Sequence, residues 1–256
     1  MTVMARRRMR LQHKSTRVGA AAAILMLLAS LTTGCMYPKE LRGENQLSYR
    51  ETTLLVQNAV ESYQKDNGIL PIITSPQSTP MYEKYRINFE PLIDGKYLSA
   101  IPSTAYEKGG TGYFMIIHEE TKPAVKVMDL TTFQQVNDVQ KLVDTYKSAH
   151  AGELPAGEQA YPDFYDINGD LLNSKVPTLK SVYSGEEIPF MMDKQGKVFV
   201  DYATDIMVAI QKSGKEPQGQ NIDLRDLLVE ASYYVPVKST TYHWVNQQPV
   251  PINTAS

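Results

Sequence analysis

The stretch Glu51–Asp66, ETTLLVQNAVESYQKD, carries Val56, Ala59, Val60 and Tyr63 at i, i+3, i+4 and i+7, which is one apolar face of a helix. Asp66-Asn67-Gly68 stops it, since Gly68 suits the left-handed turn past a helix end. Leu70-Pro71 follows, then a Pro/Ser/Thr-rich loop through Pro80. Phe89–Leu98 reads as a short helical or extended segment. Ile101-Pro102 and the Gly109-Gly110 turn then precede a strand over Tyr113–His118, and Ala124–Met128 returns as its hairpin partner.

The same pattern starts again near Thr132. Val56, Ala59, Val60 and Tyr63 map by a constant offset of 83 onto Val139, Leu142, Val143 and Tyr146. Both helical patterns stop at glycine, Gly68 and Gly152, and both run into Leu-Pro, at Leu70-Pro71 and Leu154-Pro155. Phe89, Leu98 and Ile101-Pro102 are answered by Phe164, Leu172 and Val176-Pro177. Phe114-Met115-Ile116 is answered by Phe190-Met191-Met192, and Val125–Asp129 by Val198–Asp201. The fixed order points to an internal repeat, although helix–Pro–hairpin patterns are common enough to recur without one. The fold class expected is α+β: two related units, each a helix with a small antiparallel sheet, and an extended C-terminal tail. Ala203–Lys212 reads as a further helix and Leu224–Leu228 as a short one, with Asn221 a candidate cap. Residues 232–256, with four aromatics and Pro236, Pro249 and Pro251, read as extended.

Upstream of the first unit the composition changes. Residues 1–34 carry Arg6, Arg7, Arg8, Arg10, Lys14 and Arg17 and no acid, a charge of +6. Removing these six from 26 basic residues leaves 20 against 28 acids, so residues 35–256 carry −8. Val18–Leu31 is apolar and 14 residues long, short of the ~20 a spanning helix needs. A basic start followed by a short apolar run reads as a secretory signal. It ends in Leu31-Thr-Thr-Gly34-Cys35, and Cys35 is the only cysteine, so no intrachain disulfide forms. Gly34-Cys35 with the small Thr33 resembles the end of a bacterial lipoprotein signal, with Leu31 one place further back than the usual leucine. The resemblance implies cleavage between Gly34 and Cys35 and a diacylglyceryl group on the Cys35 sulfur. Two acyl chains anchor stably where one anchors only marginally. An ordinary signal peptide or an uncleaved signal anchor, with a free thiol, is the alternative.

The expected organisation is 1–34 signal peptide, 35–50 tether, 51–131 first α+β unit, 132–213 second unit, and 214–256 a C-terminal helix and extended tail. At 42% hydrophobic and 21% charged residues, the chain has an ordinary globular composition. A surface of −8 argues against nucleic acid as a partner and against charge-driven adhesion to anionic lipid.

Candidate chemistry is sparse. His118, His150 and His243 lie far apart, with no metal-ligand neighbour at helical spacing, so no metal site is assigned. No nucleophile elbow and no phosphate loop occurs. Gly109-Gly110-Thr111-Gly112 precedes a strand instead of opening a helix, and reads as a turn. Asp163, Asp166, Asn168, Gly169 and Asp170 invite a calcium-loop reading. With Gly169 at position 6, however, Phe164 falls at position 1 and Lys175 at 12, so a plain turn is preferred. Glu119-Glu120 read as solvated. Tyr82, Tyr85, Tyr97, Tyr106 and Tyr113 cluster in the first unit, as a binding surface or as capping for a small core. No catalytic residue and no cofactor is assigned.

Cys35-Met-Tyr-Pro38, Asn58–Pro71, Ser78–Tyr85 and Val198–Tyr202 are similar to the YphF-type lipoproteins of Gram-positive bacteria, over most of the chain. That resemblance implies a location and no reaction. Tyr63, Gly68, Leu70-Pro71, Tyr97-Leu98, Ile101-Pro102 and Gly112-Tyr113 are locally similar to the globular part of pseudopilins. Here, however, the apolar run lies before Cys35 and does not continue into the unit. The functional expectation is a protein on the extracytoplasmic face of the cell membrane, anchored through Cys35 and acting as a non-catalytic binding or envelope-assembly module with an envelope protein partner. The alternatives are an envelope hydrolase with dispersed acidic residues, or a small-molecule-binding lipoprotein.

Overall fold

The computed structural model describes residues 41–214, 216–217 and 222–253. Gly34, Cys35 and the proposed cap Asn221 lie outside the described residues.

Helix α1, Leu41–Asn67, buries Val56, Ala59 and Val60, as the 3.6-residue period requires. It begins ten residues ahead of Glu51, so 41–50, part of the stretch read as a tether, is helical. Tyr49 extends the buried stripe back by two turns, with its ring 5.7 Å from that of Tyr234 and 6.5 Å from that of Phe114. Pro38 and Gly43 gave that stretch its tether-like look. Gly68, at φ +73°, stops the helix and donates its N–H to Gln64. Two short helices follow, α2 (Met81–Lys84) and α3 (Glu90–Asp94).

Strands β1 (Gly112–Ile117) and β2 (Ala124–Asp129) pair antiparallel, Phe114 opposite Val127 and Ile116 opposite Val125. Single bridges widen this sheet, Arg86 to Met115 and Ile72 to Ile87 on one side and Val127 to Tyr234 on the other. The Asp129 carboxylate accepts from the Thr132 N–H at 2.9 Å and so caps α4, Leu130–Ala149, which buries Val136, Val139 and Val143. Strands β3 (Ala156–Tyr161), β4 (Phe164–Ile167), β7 (Phe190–Asp193) and β8 (Val198–Val200) form a sheet in that order, with β5 (Leu179–Lys180) and β6 (Glu187–Ile188) a separate pair.

The two halves share more than their order. On α1 the Gln57 amide donates to the Pro123 carbonyl (3.2 Å) and accepts from the Val125 N–H (2.6 Å). On α4 the Gln140 amide donates to the Gly196 carbonyl (2.8 Å) and accepts from the Val198 N–H (2.7 Å). Each glutamine also donates to an acid one turn on, Glu61 and Asp144 respectively. Gln57 and Gln140 stand 83 residues apart, the offset of the helix pattern. Phe190 faces Val200 across β7–β8 as Phe114 faces Val127 across β1–β2. Further back, Asn88 N–H donates to Pro71 and Asn168 N–H to Pro155, while each asparagine side chain accepts from the N–H two residues on.

The chain closes with α5 (Ala203–Ser213), α6 (Arg225–Ala231) and the hairpin of β9 (Thr241–Val245) and β10 (Gln248–Ile252). The C-terminal stretch is extended, as its aromatics and prolines suggest, and folds back on itself at Asn246-Gln247, both at positive φ as a two-residue turn needs. It is no loose appendage. Leu224, Leu228 and Tyr242 enter the core of the second half, Tyr234 that of the first, and Val229, Val235 and Val237 a third cluster with Met115, Ile117 and Met128. Lys126 of β2 reaches the Val229 and Ser232 carbonyls at the end of α6, 2.6 Å each. Gln46–Ser256 is therefore one compact unit with two main cores, and Tyr183 packs against both. None of the described helices is long and apolar enough to cross a membrane.

Replacing Gln57 or Gln140 by alanine leaves one strand N–H and one carbonyl without their partner. Each change is expected to cost about 1–3 kcal/mol, and the double variant the sum, because the two sites lie in separate cores. Chemical denaturation of both single variants and the double variant checks this. A loss below about 0.5 kcal/mol at either site contradicts the role assigned to it.

Candidate functional site

Four segments that are remote in sequence close around a cavity of about 50 Å³. They are Pro80–Glu83 at the start of α2, Lys197–Phe199 entering β8, Arg225 opening α6, and the loop Pro236–Ser239. Local rules place each one. Pro80, at φ −55°, starts α2 and turns Tyr82 inward, where it is 3% exposed. The Tyr82 hydroxyl donates to the Asp226 carboxylate at 3.1 Å, and burial first, then Asp226, pushes its phenol far above the usual range. Lys238 sits at φ +55°, a left-handed conformation uncommon for lysine, and the Val200 N–H bond to its carbonyl holds it there at 2.9 Å. Ser239 Oγ bonds back to the Pro236 carbonyl at 2.5 Å.

Three cations line the cavity. Arg225 stacks 4.9 Å over the Tyr82 ring and grips Asp223 through Nε and Nη2. Its remaining arm donates to Ser239 Oγ at 3.1 Å. Lys238 Nζ meets Glu83 at 3.4 Å and lies 4.1 Å over the Phe133 ring. Lys197 Nζ lies 5.0 Å over Phe199 and, among the described residues, has no ion-pair partner. This arrangement offers donors and positive charge in a small, partly enclosed space. It holds no nucleophile–base pair.

Two other polar clusters sit deeper in the second half. Asp201 accepts from the Tyr161 hydroxyl (2.8 Å), the Tyr242 hydroxyl (3.0 Å) and the Ala203 N–H (2.9 Å), tying β3, β9 and the start of α5 together. Its donors account for it fully, although a shallow depression of about 370 Å³ opens beside Tyr161, Met207 and Pro249. Asp205, 2% exposed, accepts from Ser181 Oγ at 2.7 Å and faces inward. Burial raises its pKa, partly offset by Ser184 and Ser181 hydrogen bonds, and nearby Asp201 raises it further. Asp166 is also raised, by burial and by Glu158 and Asp201. Asp205 is sealed from solvent and bonded inward.

The residues weighed from the sequence fall elsewhere. His118 sits at φ +53° in the β1–β2 turn, His150 stacks on Tyr146 at 3.8 Å, and His243 lies in β9. Among the described residues no three of His, Cys, Asp and Glu converge as a metal site. Asn168 makes a side-chain turn to the Asp170 and Leu171 N–H groups, and Asp163 pairs with Lys194. In the glycine cluster a Cβ at Gly112 would lie 2.6 Å from the Tyr49 ring, and one at Gly110 would lie 2.1 Å from the Thr104 carbonyl oxygen. Those glycines permit close backbone approach. Of the five tyrosines, only Tyr82 reaches the cavity; Tyr106 and Tyr113 pair at 4.6 Å, and Tyr97 meets Tyr63 edge-on.

Residues 49–129 match the YphF family N-terminal domain. The match opens at Tyr49, where α1 enters the core, and closes at Asp129, the cap of α4, so the matched stretch coincides with the first helix-and-hairpin assembly. No curated protein and no solved structure matches the chain.

Asp205 supplies a pH test. Its folded pKa lies above its unfolded value, so its contribution is most favourable below about pH 4 and is lost as pH rises through the raised folded value. Asp205→Asn keeps an acceptor for Ser181 and removes the titration. The stability of the native chain relative to this variant should therefore fall as pH rises from about 4 toward neutrality. Urea unfolding across that range measures it, and a flat difference contradicts the burial argument.

Proposed function

We propose that this chain is a lipid-anchored module on the extracytoplasmic face of the cell membrane that binds an envelope partner through a duplicated helix-and-hairpin scaffold. The observation that carries the anchor is the Gly34-Cys35 junction at the end of a short apolar run, six residues before α1 opens at Leu41. A thioether-linked diacylglyceryl group on Cys35 would hold the head of α1 within about 20 Å of the bilayer surface, since each extended residue spans at most ~3.6 Å. The YphF match over 49–129 supports the family reading for the first half, and the repeated glutamine contacts support its extension to the second. Duplication yields two similar cores with a seam between them, and a seam is where binding sites form most readily.

The anchor is tested in the bacterium that expresses the protein. The native chain should fractionate with membranes and, by intact mass, begin at a lipidated Cys35. Cys35→Ser should lack the lipid mass and move out of the membrane fraction. A mature protein whose Cys35 thiol is unmodified contradicts the reading.

A further inference from the structure

We propose that the cavity between α2, β8, α6 and the Pro236–Ser239 loop is a binding site for a small oxyanion, the carboxylate or phosphate group of a larger envelope ligand. This inference is independent of the lipid anchor. Residues 35–256 carry −8, yet three cations, Lys197, Arg225 and Lys238, and a single acid, Glu83, line this one cavity. Donors remain free on each cation. Arg225 spends Nε and Nη2 on Asp223 and Thr241 and one Nη1 hydrogen on Ser239, which leaves the second Nη1 hydrogen. Lys238 gives one long contact to Glu83, and among the described residues Lys197 Nζ rests against the Phe199 ring and has no ion-pair partner.

Size fixes the class of ligand. A volume of about 50 Å³ suits the head of one carboxylate or phosphate and is far less than a drug-sized molecule needs. The walls are preorganised. Tyr82 is locked by Asp226 and stacked under Arg225, and Lys238 is held in a left-handed conformation that costs backbone energy. Strain of that kind in a lysine facing a cavity is expected where position matters more than stability. The chemistry is that of charge-assisted hydrogen bonds, with Arg225 offering a planar edge and the lysines point charges.

The test uses the purified full chain in detergent, titrated calorimetrically with sodium phosphate and, separately, with sodium acetate, at constant ionic strength. One-site saturable binding of either is expected. Phosphate alone marks a phosphorylated ligand, whereas acetate marks a carboxylate. The variant Lys197→Gln/Lys238→Asn removes two charges, and asparagine tolerates the left-handed backbone at 238. It should bind at least about tenfold more weakly while keeping the circular dichroism spectrum and a cooperative thermal transition in chloride. Lys197→Gln alone, at an exposed side chain, should weaken binding in the same direction without any effect on folding. Absence of saturation by both anions below about 10 mM, or equal affinity in native chain and variants, overturns the proposal.

Discussion

The structure depends on how a helix is fastened to a two-stranded hairpin. Two strands alone are marginal in water, and a hairpin gains independence by packing an apolar face against something else. Here that partner is the face Val56, Ala59 and Val60 in the first half, and Val136, Val139 and Val143 in the second. Apolar burial is non-directional, however, and leaves a hairpin free to slide by a residue along the helix. Gln57 and Gln140 remove that freedom. Each presents a donor and an acceptor to one carbonyl and one N–H of the incoming strand, so the register of Val125 or Val198 against the helix is set by two hydrogen bonds. A one-residue slip breaks both bonds and also turns Val125 and Val127, or Val198 and Val200, out of the core.

This pin explains why the two halves tolerate unequal loops. The β1–β2 turn is three residues longer than the β7–β8 turn, as the offsets show, 76 for Phe114 to Phe190 and 73 for Val125 to Val198. The longer turn contains His118 at positive φ, and the shorter one closes at Gly196 at φ +87°. Loop length changes freely because register is fixed at the helix and not at the turn. The outer strands differ more. Ile72 and Ile87 make a single bridge, whereas Ala156–Tyr161 forms a six-residue strand with two register shifts, and these sit furthest from the pin.

The elements legible in the sequence are those governed by local rules. The helix faces follow from a 3.6-residue period, the stops from Gly68 and Gly152, and the β1–β2 hairpin from its two short apolar runs after the Gly109-Gly110 turn, the first found one residue from its place. The reach of α1 back to Leu41 was hidden because the stretch is polar and proline-flanked, and the burial of Tyr49 is decided by distant partners. The C-terminal turn was hidden because Asn246-Gln247 lacks the glycine that marks most two-residue turns. The glutamine pair was legible in principle, since Gln57 and Gln140 obey the offset of 83, but a polar residue on a half-buried helix flank carries no signal until its strand is known. The cavity was not legible at all. Tyr82, Lys197, Arg225 and Lys238 share no spacing, and tertiary packing alone brings them together.

That packing is supplied by the C-terminal segment, which belongs to neither helix-and-hairpin half. A helix and hairpin leaves an open strand edge and an uncovered flank in each half, and joining the halves does not close either. Residues 222–252 do so. Tyr234 and Val235 pair along β2, Tyr242 plugs the core under β8, and Val229 and Val237 join the third cluster. A covering segment of this kind must pass over the seam, where backbone and charged side chains from all parts of the chain meet and cannot all be buried. Arg225–Asp223 and Lys238–Glu83 pair off some of that charge at the crossing point, and the cavity is the space their geometry leaves. A binding site at this position therefore needs no dedicated domain. It follows from closing two helix-and-hairpin halves with a strap that has to carry its polar residues across the join.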